Sequence, residues 1–278
     1  MVQISQGVEA GSVLDQGSGN AVLLLHGTAP GTTAEANFHR MLPALEGYRV
    51  LAPDLLGFGA SPKPLDVDYG PKLWADQAWA LLDDRQIETV SIIGNSAGAR
   101  VALEMTTRSP SRINSLTLLS TRVLPSLGPT TVQRLLRAYT PSRTGMAELI
   151  RECFVTDTEQ VTEEVVEARY RSSAAPGAHE AMQRIFAGMG SWGVDLKALA
   201  NIRKPILVLH GRDDRIVPEE NSVALAMAVP HADVHLLANT GHWLQLERAN
   251  LVNSLIVNFL SGVYARERSN TESNWSKK

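Results

Sequence analysis

Cysteine is almost absent from this sequence: Cys153 is the only one among 278 residues. No internal disulfide can form, and a reducing compartment such as the cytoplasm fits this cysteine usage. Because Cys153 lies in no glycine turn that opens a helix, we expect a buried or half-buried thiol rather than a nucleophile.

Long apolar runs and an excess of positive charge are also missing. The longest apolar runs, such as residues 21–25, are far too short to span a bilayer, which argues against a membrane protein. Residues 1–6 lack the basic start and apolar stretch of a signal peptide, so we expect a cytoplasmic location. With a net charge of −3 and no basic stripe, the chain offers little to attract nucleic acid.

The first third of the chain alternates between short apolar runs and amphipathic stretches. The apolar runs predict buried strands at 21–25, 49–52, 90–93 and 115–119. The amphipathic stretches between them predict helices at about 34–45, 73–85 and 97–108. Strand, helix and strand at this spacing predict a parallel sheet that is buried on both faces, and hence an α/β fold.

Further strand and helix signals lie at the two ends of the chain. Strand-like runs return at 206–209 and 234–237, and a final amphipathic helix is predicted at about 246–260. Near the start, the weaker stretches 2–8 and 12–16 predict an antiparallel hairpin at the edge of the sheet.

The middle of the chain has a different pattern. Residues 123–199 contain helical patterns but no convincing buried strand, which predicts a helical cap. This cap would be inserted into a core formed by 1–122 and 200–265. The last residues, 266–278, are polar and aperiodic, so we expect a disordered tail.

The most informative motif is the pentapeptide at 94–98, Gly-Asn-Ser-Ala-Gly. It follows a predicted strand and opens a predicted helix, which is the context that a G-x-S-x-G nucleophile elbow requires. Glycines are needed there because a Cβ at either position would collide with the neighbouring strand or helix. Such a turn would expose the hydroxyl of Ser96 beside a helix N-terminus, where backbone N–H groups point outward.

A serine hydroxyl is a weak nucleophile and needs a base. Among seven histidines, His242 is the best placed, because it lies between the last predicted strand and the last predicted helix. Loops that follow parallel strands meet at one edge of the sheet, so His242 should reach Ser96. His26 and His210 also close strands, and we expect the first to shape a loop and the second to pack inside.

The base in turn needs a carboxylate that holds its tautomer and stabilises the imidazolium. Asp213 and Asp214 both follow a predicted strand and both are candidates. The spacing G-x-x-D-x-x-x-P over 211–218 favours Asp214. The chain order is then Ser96, Asp214 and His242, which is the order of nucleophile, acid and base in α/β-hydrolases.

Acyl transfer would also need two hydrogen-bond donors for an oxyanion. The backbone N–H of Ala97, the residue after the nucleophile, is the first candidate. The second is the N–H of Thr28, in the Gly- and Pro-rich loop 26–31 that follows the first buried parallel strand. This loop could also simply turn the chain, and the two roles are compatible.

The motifs resemble those of a known superfamily. Residues 20–122 and 203–262 resemble the core of the α/β-hydrolases, and the loop 26–31 (His-Gly-Thr-Ala-Pro-Gly) resembles the H-G-x-G-P-G loop of one group, the meta-cleavage product hydrolases. These enzymes cleave a C–C bond in vinylogous 1,5-diketones. The resemblance implies a mostly parallel eight-stranded sheet flanked by helices with an inserted helical cap, no cofactor, no metal, and a homodimer or larger homo-oligomer.

The same resemblance assigns substrate contacts. Asn37 and Asn95 match two asparagines that help to bind the dienoate end of the substrate. Arg169 falls where an arginine of the cap pairs with the substrate carboxylate, and Trp243 matches the tryptophan after the catalytic histidine. A planar guanidinium suits a carboxylate because it can make two parallel charge-assisted hydrogen bonds.

The sequence departs from this group at several positions. Ala29 replaces a glycine of the oxyanion loop, Ala97 stands where a larger Met or Phe is usual, and Gly-Ala-Arg at 98–100 replaces the usual Gly-Gly. A small residue at Ala97 should widen the pocket near the nucleophile. Arg171 and Arg184 compete with the cap arginine for the carboxylate.

These features favour a serine hydrolase that acts on a small molecule with a carboxylate. The first hypothesis is hydrolysis of a C–C bond in a 2-hydroxy-6-oxohexa-2,4-dienoate type compound by Ser96, with His242 and Asp214. A carboxylesterase or lactonase would use the same triad. A ligand receptor on a hydrolase fold would keep the triad without fast turnover. The sequence does not distinguish an aryl from an alkyl group on the distal ketone of the substrate.

Overall fold

The computed structural model describes residues 12–125 and 130–275. Within them one sheet holds seven strands: β1 Val13–Gln16, β2 Ala21–Leu25, β3 Arg49–Pro53, β4 Val90–Asn95, β5 Ile113–Leu119, β6 Ile206–Gly211 and β7 Asp233–Leu237. Their spatial order is β1-β3-β2-β4-β5-β6-β7, and only β1 pairs antiparallel with its neighbour. The mostly parallel sheet is confirmed, and the stretch 2–8, predicted as a further strand, lies outside the described residues.

Eleven α-helices accompany the sheet in the same part of the chain: α1 Ala34–Phe38, α2 Pro71–Asp84, α3 Ala97–Arg108, α4 Thr131–Ala138, α5 Arg143–Leu149, α6 Glu163–Ser173, α7 Ala178–Gly188, α8 Leu196–Leu199, α9 Glu220–Ala228, α10 Leu244–Glu247 and α11 Ala249–Trp275. Buried residues of α1, α10 and α11 pack on one face of the sheet. Those of α2, α3 and α9 pack on the other.

The central strands are apolar along their whole length because both of their faces are buried. In β2, Leu23 and Leu25 belong to the core that contains α2 and α3. The alternating residues Val22 and Leu24 belong to the core that contains α1 and α11. This arrangement follows from the two-residue period of a strand. Because both faces are buried, polar functional groups belong at the carboxyl-terminal ends of the strands rather than along them.

Between β5 and β6 the described residues form helices α4–α8 and no strand. The sequence predicted the inserted cap here, at 123–199. The Trp192 ring meets the Trp74 ring edge-on, with 5.3 Å between their centroids. The Phe154 carbonyl accepts the backbone N–H of Trp243 at 3.0 Å. Both contacts bind this helical segment to the core, close to the carboxyl-terminal edge of the sheet.

The last helix is longer than the sequence pattern indicated. α11 spans Ala249–Trp275, so residues 266–275 are helical instead of the disordered tail that the sequence predicted. No proline or glycine occurs between Val263 and Trp275, and Ala, Arg and Glu favour helix, so nothing stops the helix where its apolar face ends. No helix within the described ranges is long and apolar enough to cross a membrane.

Candidate active site

Ser96 lies on the tight turn between β4 and α3. Its backbone has φ 55° and ψ −113°, a positive φ that non-glycine residues rarely adopt. The neighbouring glycines are sterically required: a Cβ on Gly94 would lie 2.5 Å from Cα of Ala99, and one on Gly98 would overlap the carbonyl oxygen of Leu25. The motif therefore folds as a nucleophile elbow at the carboxyl end of a central strand.

His242 and Asp214 form a buried pair at the same edge of the sheet. His242 lies between β7 and α10, Asp214 follows β6, and the Nδ1 of His242 is 2.7 Å from Oδ2 of Asp214. An ionised carboxylate only accepts, so Nδ1 carries the hydrogen and Nε2 is left to take a proton. The rival Asp213 is exposed and accepts the backbone N–H of Thr240 at 3.1 Å instead.

The Asp214 carboxylate is held in its ionised form. Its Oδ1 accepts the backbone N–H groups of Ile216 and Val217, each at 2.9 Å. Burial on its own would raise the pKa of Asp214, but the charge of a protonated His242 and the hydrogen bonds from His210 and His242 outweigh burial and hold the pKa well below its ordinary value. Asp214 is therefore an anion at neutral pH.

His210 is a second neighbour of this carboxylate, and sequence reasoning missed its contact. Its Nε2 lies 3.3 Å from Oδ2 of Asp214 and 2.8 Å from the carbonyl oxygen of Val217. Its Nδ1 lies 2.6 Å from Oγ of Ser222. The one signal in the sequence was its position near the end of a strand, four residues before Asp214. His210 thus helps to hold the Asp214 carboxylate in place and in its ionised form.

A cavity of about 160 Å³ opens over the elbow, and both Ser96 and His242 line it. The two residues predicted to hold an oxyanion, Thr28 and Ala97, line the same cavity. Ala97 is the first residue of α3, and N–H groups in the first turn of a helix have no partner within it. The nucleophile, the base and both predicted oxyanion donors therefore share one space.

The rest of the cavity wall is mostly apolar, as is usual for small-molecule sites. The apolar side chains are Leu136, Phe154, Phe186, Met189, Trp192, Ile216 and Val217. Arginines contribute the charged part of the wall, namely Arg100, Arg122 and Arg137. Sequence analysis noted Arg100 as a departure from the family but did not place it in the site.

Asn37, Asn95 and Arg169 do not line this cavity, but they share another property. Each is at least 98% buried, and each has one donor atom without a hydrogen-bond partner in the described part of the chain: Nδ2 of Asn37, Nδ2 of Asn95 and Nη2 of Arg169. A buried donor without a partner is costly, so three of them point to a ligand that accepts hydrogen bonds.

The three residues lie around the loop after β2. A Cβ on Gly27 would lie 3.2 Å from Oδ1 of Asn95, and one on Gly31 would overlap the carbonyl oxygen of Arg169. Asn37 lies on α1, which begins where this loop ends. The glycines of the loop thus let β4 and the cap helix α6 approach the same short segment.

The guanidinium of Arg169 is fixed in place by the core and by the cap. Its Nη1 donates to Oγ1 of Thr32 at 2.9 Å, and its Cζ lies 4.0 Å from the ring centroid of Trp243. Trp243 is itself stacked on Phe154, with 4.4 Å between their ring centroids. Burial lowers the pKa of Arg169 to about 9, so the side chain is still a cation at neutral pH. Trp243, predicted as a substrate contact, therefore supports Arg169.

Gln245 is a further candidate that sequence reasoning missed. It is 99% buried on α10, and neither its Nε2 nor its Oε1 has a hydrogen-bond partner among the described residues. α10 packs against α1, the helix of Asn37. Gln245 follows the catalytic histidine by three positions, which is the signal that could have pointed to it.

His26 has a structural role, as the sequence suggested. Its Nδ1 donates to the carbonyl oxygen of Gly27 at 2.8 Å, and its Nε2 accepts the backbone N–H of Leu55 at 2.9 Å. The neutral imidazole, with its hydrogen on Nδ1, satisfies both of these hydrogen bonds. Burial lowers the pKa of His26 to about 4.

His26 is therefore expected to make the protein lose stability in mild acid. Below about pH 6.5 the unfolded chain binds a proton at this residue, while the folded chain stays neutral down to about pH 4. The contribution of the neutral His26 to the free energy of unfolding is fully present above pH 6.5. About 3 kcal/mol of that free energy is lost as the pH falls to 4. Urea unfolding at pH 7.5 and 4.5 measures this loss. His26→Gln should be less stable at pH 7.5 but should lose less between the two pH values. An equal loss in both proteins would contradict the assignment.

Fold and site together define the class of the protein. A strained serine and a buried Asp–His pair that meet over one cavity are the arrangement by which α/β-hydrolases activate serine. In residues 12–125 and 130–275 no group of three His, Cys, Asp or Glu side chains could hold a metal ion. The chain belongs to the alpha/beta hydrolase fold family, whose model matches residues 20–249, and within it to the meta-cleavage product hydrolases.

Two curated relatives carry this narrower assignment. The chain is 36% identical to a 2-hydroxymuconate semialdehyde hydrolase of Pseudomonas sp. strain CF600, over 89% of both chains. It is 34% identical to a 2-hydroxy-6-oxo-2,4-heptadienoate hydrolase of Pseudomonas putida, over 93% of this chain and 95% of the relative. The resemblance found in the sequence is therefore confirmed.

Solved structures agree with these relatives. A meta-cleavage product hydrolase from Pseudomonas fluorescens IP01 superposes with a TM-score of 0.85 at 30% identity, over 90% of this chain and 93% of that chain. The 2-hydroxy-6-oxo-6-phenylhexa-2,4-dienoate hydrolase from Rhodococcus sp. strain RHA1 superposes with a TM-score of 0.82 at 32% identity, over 90% of this chain and 94% of that chain. The α/β-hydrolase fold predicted from sequence is confirmed.

Proposed function

We propose that this protein hydrolyses the C–C bond next to the distal ketone of a 2-hydroxy-6-oxohexa-2,4-dienoate type compound. The observation that carries the proposal is the set of three buried donors without partners, on Asn37, Asn95 and Arg169. A dienoate offers the acceptors that these donors lack, namely a carboxylate and a 2-oxygen. A simple ester would leave them unsatisfied.

Arg169 would hold the substrate carboxylate. Its Nη1 is already fixed by Thr32, and its free Nη2 is available for a charge-assisted hydrogen bond. Asn37 and Asn95 would donate to the 2-oxygen. That oxygen gains negative charge when the C–C bond breaks, so donors placed there stabilise the transition state more than the substrate.

The reaction would begin with a proton transfer. His242 moves the proton of the 2-hydroxyl group to C5, which converts the dienol into a 2,6-diketone. The new tetrahedral C5 isolates the C6 carbonyl from the conjugated system and makes it electrophilic. The imidazole can serve as both acceptor and donor because Asp214 fixes its Nδ1–H at 2.7 Å.

Bond cleavage would follow attack by Ser96 on C6. His242 takes the hydroxyl proton, and the backbone N–H groups of Thr28 and Ala97 stabilise the oxyanion. When the intermediate collapses, the C5–C6 electrons move through the chain to the 2-oxygen, and the protonated His242 gives its proton to that oxygen and becomes neutral again. The products of this step are 2-hydroxypenta-2,4-dienoate and a serine ester of the acyl half. Water, deprotonated by His242, then releases the acid and restores Ser96.

Arg169→Gln tests the carboxylate clamp. The variant keeps a hydrogen-bond donor but loses the charge and the second bond, so kcat/KM for a dienolate substrate should fall about 10²- to 10³-fold. Loss of the yellow dienolate absorbance measures the rate. Arg171→Gln is the matched control, because Arg171 lies two residues away, exposed, and pairs with Glu167. An unchanged kcat/KM in Arg169→Gln would refute the clamp, and a wild-type protein that bleaches no dienolate would refute the proposed reaction.

Two sequence expectations remain part of the proposal. A homodimer or larger homo-oligomer follows from the family resemblance alone. A cytoplasmic location is supported by the lone cysteine, Cys153, which is buried and whose pKa burial raises to about 12.

A further inference from the structure

We propose that the acyl half of the substrate carries its own anionic group, a carboxylate, which Arg100 and Arg122 bind. This inference rests on the proposed function and specifies the substrate class of the same site. It makes the substrate a dioic acid with one carboxylate at Arg169 and a second one beyond the ketone.

The two arginines lie beside the nucleophile. Arg100 is on α3, four residues and hence about one helical turn after Ser96, so its side chain rises on the same face of the helix. Arg122 follows β5, the strand next to the one that carries Ser96. Both side chains line the cavity that Ser96 and His242 line.

Both arginines are anchored by backbone carbonyl groups. Nη2 of Arg100 donates to the carbonyl oxygens of Trp192 and Gly193 in the cap, and Nη2 of Arg122 donates to that of Ile216 at 2.5 Å. These backbone acceptors do not cancel the charge of Arg100. For Arg122, burial lowers the pKa, and the nearby charge of Asp214 opposes this lowering. Nε of Arg100 is buried and has no hydrogen-bond partner among the residues that the structure describes.

Within residues 12–125 and 130–275 no acidic side chain lines the cavity, whereas Arg137 adds a third cation at its wall. Burial together with the nearby charge of Arg122 lowers the pKa of Arg100 to about 10. The two guanidinium groups therefore repel each other within a mostly apolar space. A bound carboxylate would pair with both and remove this repulsion.

Because the carboxylate of the dienoate lies at Arg169, the second carboxylate belongs to the acyl half of the substrate. Asn37, Asn95 and Arg169 gather around the loop after β2 and do not line this cavity. A substrate whose C6 lies at Ser96 would place its dienoate on that side. The group beyond the ketone is then left for the cavity of Arg100 and Arg122.

The test compares two substrates of equal size. One is 2-hydroxy-6-oxonona-2,4-dienedioate, and the other carries a terminal primary amide in place of the distal carboxylate. For the wild-type protein, kcat/KM for the acid should exceed that for the amide about 10- to 100-fold. In Arg100→Gln this ratio should fall at least about tenfold, and Arg100→Lys should recover part of it. Arg184→Gln, an exposed arginine outside the cavity, should keep the wild-type ratio.

The ratio of kcat/KM for the acid to kcat/KM for the amide reports recognition of the carboxylate. Damage to the fold or to the cap lowers both values and leaves the ratio unchanged. Arg100→Gln removes an anchor of the cap, and Arg122→Gln provides a second variant in case the first one does not fold. A variant that slows both substrates equally would mean that the arginine only holds the cap, which overturns the inference. If the wild-type protein cleaves both substrates and does not prefer the acid, the inference fails while the proposed function stands. If it cleaves neither, the proposed function fails and takes the inference with it.

Discussion

Ser96→Ala is expected to lower kcat for a dienolate substrate about 10⁵- to 10⁶-fold. The elbow holds Ser96 at the carboxyl end of β4 with a positive φ of 55°, and the variant lacks the Oγ that this turn presents to the cavity. Alanine meets the same backbone strain as serine, so the variant should fold like the wild-type protein. Stopped-flow absorbance at the dienolate maximum measures the effect, with thermal unfolding as the check on folding.

The variant should still bind substrate. The donors of Arg169, Asn37 and Asn95, which we propose as contacts of the dienoate end, lie outside the cavity that Ser96 lines, so they are intact in Ser96→Ala. We expect a saturable spectral shift without bleaching. A fluorophosphonate should label the wild-type protein and leave the variant unlabelled. Residual turnover within 100-fold of wild type would exclude Ser96 as the nucleophile, and failure to label wild type would favour a receptor over an enzyme.

Asp214→Asn is expected to reduce kcat about 10⁴-fold. The amide keeps an acceptor for the N–H groups of Ile216 and Val217, so the loop after β6 should hold its shape. It loses the negative charge that stabilises a protonated His242, and its NH₂ group can favour the wrong imidazole tautomer. Both effects act on the proton transfers rather than on substrate binding, so KM should change far less than kcat.

Asp213→Asn is the control next door. Asp213 is exposed, and the one hydrogen bond described for its side chain comes from the backbone N–H of Thr240. An amide oxygen can accept that bond, so we expect kcat within about threefold of wild type. If the large loss of kcat followed Asp213 and not Asp214, the identity of the triad acid would be wrong.

The central strands of the sheet were predictable because they are buried on both faces. The predicted strand 21–25 has the bounds of β2, and its residues alternate between the two cores. The end of α11 was not predictable from the same kind of pattern. An apolar face marks where a helix packs, whereas the helix itself continues to Trp275 because no residue there breaks it.

The positions of the proposed triad residues were predictable for a related reason. Ser96, Asp214 and His242 each follow a strand of a parallel sheet, so local motifs sufficed to bring them to one edge. Contacts between the cap and the core could not be predicted from the sequence. The bonds of Arg100 join residues 92 and 93 positions apart, and no periodicity encodes such a contact. The same holds for the contact between His210 and Asp214, which depends on how the loop after β6 folds back.

The central claim is that Ser96 breaks a C–C bond of a carboxylated dienone and releases its acyl half as an acid. Product analysis in H₂¹⁸O tests it most directly, with mass spectrometry of a reaction on a 2-hydroxy-6-oxohexa-2,4-dienoate type substrate and a p-nitrophenyl ester run in parallel. We predict bleaching of the dienolate, 2-hydroxypenta-2,4-dienoate, and an acid that carries oxygen from the water. An unbleached panel of such dienolates beside fast ester hydrolysis would contradict the claim and identify a carboxylesterase.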